Sequence, residues 1–113
     1  MKEIKAIIQP FKVKAVCDAL AAIEGLPGVT VSTVLGWGKT RGKGASPPVE
    51  QDGHAFARKA KVEVVVTEAM ADRVVEAIVK AARTGRVGDG KVFVYDVEQV
   101  VKIRTGERGI DAV

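Results

Sequence analysis

The chain changes its hydrophobic period in the same way twice, and that repetition restricts it to few folds. Residues 2–9 alternate, with Ile4, Ala6 and Ile8 on one side and Ile7 adding apolar character to the other, which predicts a strand closed by Pro10. From Lys12 to Glu24, Val13, Val16, Cys17, Leu20 and Ile23 recur at spacings of three and four, the period of an amphipathic helix. Gly25-Leu26-Pro27-Gly28 breaks that helix, and Val29 to Leu35, rich in branched residues, predicts a second strand. The order then repeats. Lys59 to Val66 sets Lys59, Lys61 and Glu63 against Ala60, Val62, Val64 and Val66, the alternation of a strand. Thr67 is placed to cap a helix over Ala69 to Arg83, whose apolar face carries Met70, Val74, Val75, Ile78 and Ala82. Gly85 ends it, Val92 to Val97 predicts a fourth strand, Val100 to Ile103 a short fifth, and a polar tail covers 105–113.

Strand, helix, strand, twice over, is the α+β, ferredoxin-like split βαβ arrangement: a four-stranded antiparallel sheet with two helices on one face. With 113 residues, 47% of them hydrophobic, the chain has room for one such domain over 1–113 and a core to fill it. Helices on one side leave the other sheet face open. Ile7 and Val65 give that face an apolar component, which points to self-association.

Between the two halves the period vanishes. Glycine recurs at 36, 38, 42, 44 and 53, and Pro47-Pro48 forbids a regular helix, so a long protruding loop is expected from Gly36 to Arg58. Long loops inside small domains usually carry function. His54, the one histidine, falls in this loop and reads as a surface group. Phe56 reads either as a partner anchor or as packing where the loop rejoins the sheet.

The net charge of +4 suits an anionic ligand as readily as an ordinary soluble surface. The basic residues are scattered, and Phe11, Trp37, Phe56, Phe93 and Tyr95 are not interleaved with them, which argues against a nucleic-acid surface. Cys17, alone, permits no intrachain disulfide and reads as core filler. The start has no long apolar targeting segment and no apolar run approaches the length of a bilayer crossing, so no membrane insertion and a cytoplasmic location are expected. Glu50, Asp52 and Asp89 lack the spacing of a metal cage and read as solvated acids. No nucleophile, base and orienter assemble by spacing, so no catalytic residue is assigned.

The sharpest local feature is Thr84-Gly85-Arg86-Val87-Gly88-Asp89-Gly90-Lys91. Gly85, four residues, Gly90 and Lys91 imitate the phosphate loop of nucleotide hydrolases. The imitation fails because Val92 replaces the Ser/Thr that would hold magnesium, and because the turn leaves a helix and enters a strand. The logic of anion capture survives: glycines allow close backbone approach, a turn can aim several amides at phosphate, and Lys91 or Arg86 supplies charge. Lys102, Arg104 and Arg108 add cations, with Lys102 and Arg104 expected on one strand face from their spacing of two.

Over essentially residues 1–110 the chain resembles the P-II nitrogen-regulatory signal transduction family. The likeness rests on Ile4-Lys5-Ala6-Ile7-Ile8-Gln9-Pro10-Phe11-Lys12, Gly36-Trp37-Gly38-Lys39, Thr84 through Lys91 continuing to Val92-Phe93-Val94, and Arg104-Thr105-Gly106-Glu107. The resemblance implies a homotrimer holding ATP or ADP in the clefts between subunits, with magnesium as an accessory. It also implies a long loop that engages a target transporter or metabolic enzyme. By that likeness Gly88, Asp89, Gly90 and Lys91 form the phosphate turn, Lys102 and Arg104 close on the phosphates, and Lys39 adds charge. Ile7, Thr30, Gly36, Gly38 and Val65 frame the nucleotide. Loop residues Gly42, Pro47, Pro48, His54 and Phe56 face the partner. Many relatives bind 2-oxoglutarate through a glutamine and a lysine; here Thr40 stands at the glutamine position while Lys59 keeps the lysine, so impaired or absent 2-oxoglutarate binding is expected. Gln9 departs from a lysine common near the start. Tyrosine uridylylation in the loop is not expected, because position 52 is Asp and Tyr95 lies in the fourth strand. The implied function is adenine-nucleotide-sensing allosteric signalling, the alternative being a slow ATP hydrolase or small-anion sensor using the same cleft.

Overall fold

The computed structural model describes residues 1–37, 48–51 and 53–113. Strand β1 (Lys2–Ile8) leads through a 3-10 turn at Pro10–Lys12 into helix α1 (Val13–Ala21). Then follow β2 (Thr30–Gly36), β3 (Val49–Gln51), β4 (His54–Val66), α2 (Glu68–Ala82) and β5 (Lys91–Asp96). The main sheet has the order β2-β4-β1-β5, antiparallel throughout, with β3 pairing onto β4 outside that path. This is the ferredoxin-like arrangement its two strand-helix-strand halves predict.

The core forms where the two periods meet. Ile4, Ala6 and Ile8 of β1 and Val62, Val64 and Val66 of β4 are buried at alternate positions. They face Val16 and Leu20 of α1 and Ala71, Val74, Ile78 and Ala82 of α2, which recur at helical spacing. Each fully buried branched side chain contributes about 1.5–3 kcal/mol. Gly25, at φ 80°, follows α1 where the sequence breaks. Thr67 does occupy the N-cap of α2, but its side chain makes no capping hydrogen bond.

The opposite sheet face is mixed rather than apolar. Half-buried Ile7 and Val65 share it with Lys61 and Glu63, whose charged groups lie 3.6 Å apart, and with Lys5, whose ammonium lies 4.9 Å from the Tyr95 ring centre and 5.6 Å from that of Phe93.

The expected loop from Gly36 to Arg58 is corrected in its second half. β4 begins at His54 and β3 folds back on it, with Val49 opposite Phe56 and Gln51 opposite His54. The segment His54-Ala55-Phe56-Ala57-Arg58 lacks clean alternation, and cross-strand pairing supplies the order that its own pattern does not. The fifth strand expected at Val100 to Ile103 is reduced to a single bridge between Val101 and Arg108. Gly106, at φ 74°, reverses the chain before a ladder can form.

Candidate functional site

Helix α2 passes the chain to β5 through a turn with Gly85, Gly88 and Gly90 at φ 87°, 100° and 97°. Asp89, expected as a solvated acid, instead ties this turn together. Its carboxylate accepts the Thr84 hydroxyl, the Thr84 amide at 2.9 Å and the Gly85 amide at 2.9 Å, while the Arg86 amide donates to the Thr84 hydroxyl oxygen at 3.1 Å. The hydroxyl of Thr84, then its amide, hold the Asp89 carboxyl below its ordinary value of 3.8, against partial desolvation; the Gly85 amide and the Arg86 charge add to the effect. Thr84 was not singled out from sequence, although a hydroxyl five residues before an aspartate across two glycines is the available signal.

A depressed folded-state value means that the ionised carboxylate stabilises the turn fully above 3.8 and that this contribution is lost as pH falls through the lower folded value. In an NMR titration the Thr84 and Gly85 amide resonances are expected to move together with a midpoint below 3.8, and to lose that transition in Asp89→Asn. A midpoint at or above the ordinary value contradicts the tie.

With those amides engaged, and with Val87 and Gly88 at the centre of a tight turn, the amides of Val87 and Gly88 have no intramolecular partner among the described residues. Such a run of backbone donors beside Arg86 and Lys91 can take an anion. Two neighbours fix where the turn sits. A Cβ placed on Gly90 would lie 1.7 Å from the Ile7 carbonyl oxygen, and the Lys59 ammonium donates to the Gly88 carbonyl at 2.9 Å. A Cβ on Gly36 would in turn contact Lys59 Cγ at 3.5 Å, and Lys91 pairs with Ile7 across the sheet. Ile7, Gly36, Lys59, Gly88, Asp89, Gly90 and Lys91 therefore gather at one end of the sheet.

The remaining candidates lie elsewhere. Thr30 is opposite Glu63, and Val65 is opposite Glu3. Thr30, Val65 and Val100 line a cavity of about 330 Å³. Gly36 pairs with Ala57, so eight positions of β4, roughly 26 Å at the rise of a strand, separate it from Val65. No single nucleotide contacts both within one chain. Beyond Val100, Lys102 and Arg104 are not on one strand face as expected. They sit in a turn closed by Gly106 N–H to the Lys102 carbonyl at 2.7 Å and Lys102 N–H to the Glu107 carbonyl at 2.8 Å. The Lys102 ammonium lies 3.4 Å from the Glu107 carboxylate, an exposed pairing worth less than about 1 kcal/mol.

At the base of the long loop, His54 lies edge-on to Trp37 at 5.5 Å and to Phe56 at 6.3 Å between ring centres. The histidine expected in a loop thus opens β4, inside an aromatic group. Pro48 directly precedes β3 and is exposed. Gly38, Lys39, Thr40, Gly42 and Pro47 lie outside the described residues.

The family model described as nitrogen regulatory protein P-II matches residues 1–107. Nitrogen regulatory protein P-II of Rhodospirillum rubrum and that of Microchaete diplosiphon are each 48% identical over 118 aligned positions that cover both chains completely. A crystal structure of Arabidopsis thaliana PII bound to citrate superposes with a TM-score of 0.79 at 38% identity, covering 99% of this chain and 91% of that one. With the split βαβ sheet and the tied glycine turn in place, the chain belongs to the P-II nitrogen-regulatory family, as a cytoplasmic, non-catalytic, nucleotide-sensing regulator that acts on target proteins through the segment between β2 and β4.

Proposed function

We propose that this chain senses ATP and ADP in clefts that two neighbouring copies of a homotrimer build together. One copy contributes Ile7, Gly36 and the turn Gly88–Lys91; the next contributes Thr30, Val65, Lys102 and Arg104. The observation that carries this reading is the distribution of the candidates between separate parts of the sheet, out of reach of one ligand within a single chain. The chemistry suits the ligand: amides of the turn orient the phosphates, and cations from two chains offset their charge. Magnesium would accompany the phosphates. Lys59 bridges the turn to β4 and offers a cation for a carboxylate effector, yet Thr40 in place of a glutamine favours an anion other than 2-oxoglutarate.

The output is a change in the long loop. A ligand shifts an equilibrium only by its differential affinity for the two states, so ATP and ADP must favour different loop arrangements to change affinity for a transporter or metabolic enzyme. Gly36, at the end of β2 and beside the Lys59 that bonds the turn, links the two. Calorimetry with ATP and ADP is expected to give saturable binding that weakens roughly 10- to 100-fold in Lys91→Ala, the value of one charge-assisted contact. Absence of heat for either nucleotide with the unmodified protein rejects the reading.

A further inference from the structure

We infer that Thr84 is a positioning residue for nucleotide binding, acting through Asp89 to leave the amides of Val87 and Gly88 to the ligand, an inference that rests on the nucleotide reading above. An anion site in this turn has two electrostatic handicaps. It follows the C-terminal end of α2, whose last carbonyls carry the negative end of the helix dipole, and it contains a carboxylate of its own, that of Asp89. Both oppose the positive charges of Arg86 and Lys91.

The half-buried side chain of Thr84 answers the second handicap. Its hydroxyl donates to one Asp89 oxygen and accepts the Arg86 amide at 3.1 Å, so its donor and an acceptor are both used. The other Asp89 oxygen accepts the amides of Thr84 and Gly85, each at 2.9 Å. The carboxylate is thus occupied by donors from its own turn, and the consecutive amides of residues 84, 85 and 86 are committed inside it. The chain has also left the helix by then: Arg83 is extended at ψ 131°, its amide closing the last turn on the Val79 carbonyl at 3.1 Å. Val87 and Gly88 come next, and the Lys59 ammonium anchors the Gly88 carbonyl at 2.9 Å. Removing the Thr84 hydroxyl breaks two bonds together. The Arg86 amide loses its acceptor and Asp89 loses a donor, which frees a carboxylate to repel the phosphates beside it.

Thr84→Val keeps the branched shape and removes the hydroxyl. It is expected to weaken ATP binding roughly 10- to 100-fold at temperatures where the variant is fully folded, the effect of losing hydrogen bonds to a charged group. Thr84→Ser keeps the hydroxyl and should bind within about threefold of the unmodified protein. A purely structural role would lower Tm in both variants and leave affinity alone. Hydrogen exchange on the unmodified protein needs no variant: the amides of Thr84, Gly85 and Arg86 should be protected before ATP is added, and those of Val87 and Gly88 only afterwards. Undiminished affinity in folded Thr84→Val, a Thr84→Ser as weak as Thr84→Val, or amides at 84–86 that exchange freely without ligand would each overturn the inference. If the unmodified protein does not bind ATP, it is the nucleotide reading that fails.

Discussion

Gly90→Ala is expected to be the most damaging single methyl group that can be added to the glycine turn. Two effects combine. At φ 97° an L-residue is strained, at a cost of roughly 1–2 kcal/mol. The added Cβ would also lie 1.7 Å from the Ile7 carbonyl oxygen and 2.8 Å from its carbon, and these atoms belong to the backbone of a central strand that pairs on both sides. They cannot rotate away. Either β1 moves, disturbing its ladders with β4 and β5, or the turn lifts off the sheet. Gly85→Ala is the control, since φ 87° imposes similar strain while nothing lies within 4 Å of its Cβ. Gly85→Ala should therefore lower Tm by about 4–8 °C, one kilocalorie or so for a domain of this size. Gly90→Ala should lower it by more than about 15 °C, the range of the severe structural substitutions. Nucleotide binding should vanish in Gly90→Ala even at temperatures where it remains folded. Equal melting of the two variants would show that the close approach to Ile7 contributes nothing.

How much of this was legible in the sequence depended on whether a residue's role was local. Ile4, Ala6, Ile8 and the α2 face at Val74, Ile78 and Ala82 announce themselves by period alone, and the structure buries them all. The glycine turn was legible for the same reason: Gly85, Gly88 and Gly90 lie in one short segment and adopt the conformations that glycine permits. Long-range partners were not. Nothing in the spacing of Lys59 and Gly88 foretells a hydrogen bond across 29 residues, and nothing near Gly90 reveals the Ile7 carbonyl beneath it. His54 looked like a loop residue because its order comes from β3 and Trp37, which are remote in the local pattern. At Lys102 and Arg104 the alternation was sound and the inference was not, because Gly106 turns the chain before a strand can pair. Asp89 shows the intermediate case. Its partners Thr84 and Gly85 are close in sequence, but an acid that serves a turn and an acid that serves solvent have the same composition signal.

The proposed division of the site between chains predicts that two inactive variants will restore each other. Take Lys91→Ala, which disables the turn, and Lys102→Ala/Arg104→Ala, which disables the cations delivered from the hairpin. Each alone should form an assembly that binds ATP poorly in every cleft. When the two are unfolded together and refolded as mixed trimers, some clefts combine an intact turn from one chain with an intact hairpin from its neighbour. For random assembly of equal amounts, half of the turns and half of the hairpins are intact, so about one cleft in four regains tight binding. Titration should show about one quarter of the stoichiometry of the unmodified protein at close to its affinity. A site contained within one chain behaves otherwise: every chain in the mixture carries a defect, and no shuffling repairs any of them. Restoration thus follows from the roughly 26 Å of β4 between Gly36 and Val65, because that separation is what makes a second chain necessary. Refolded mixtures that contain both chains in one trimer yet bind no better than their parents would place the whole cleft in a single protomer.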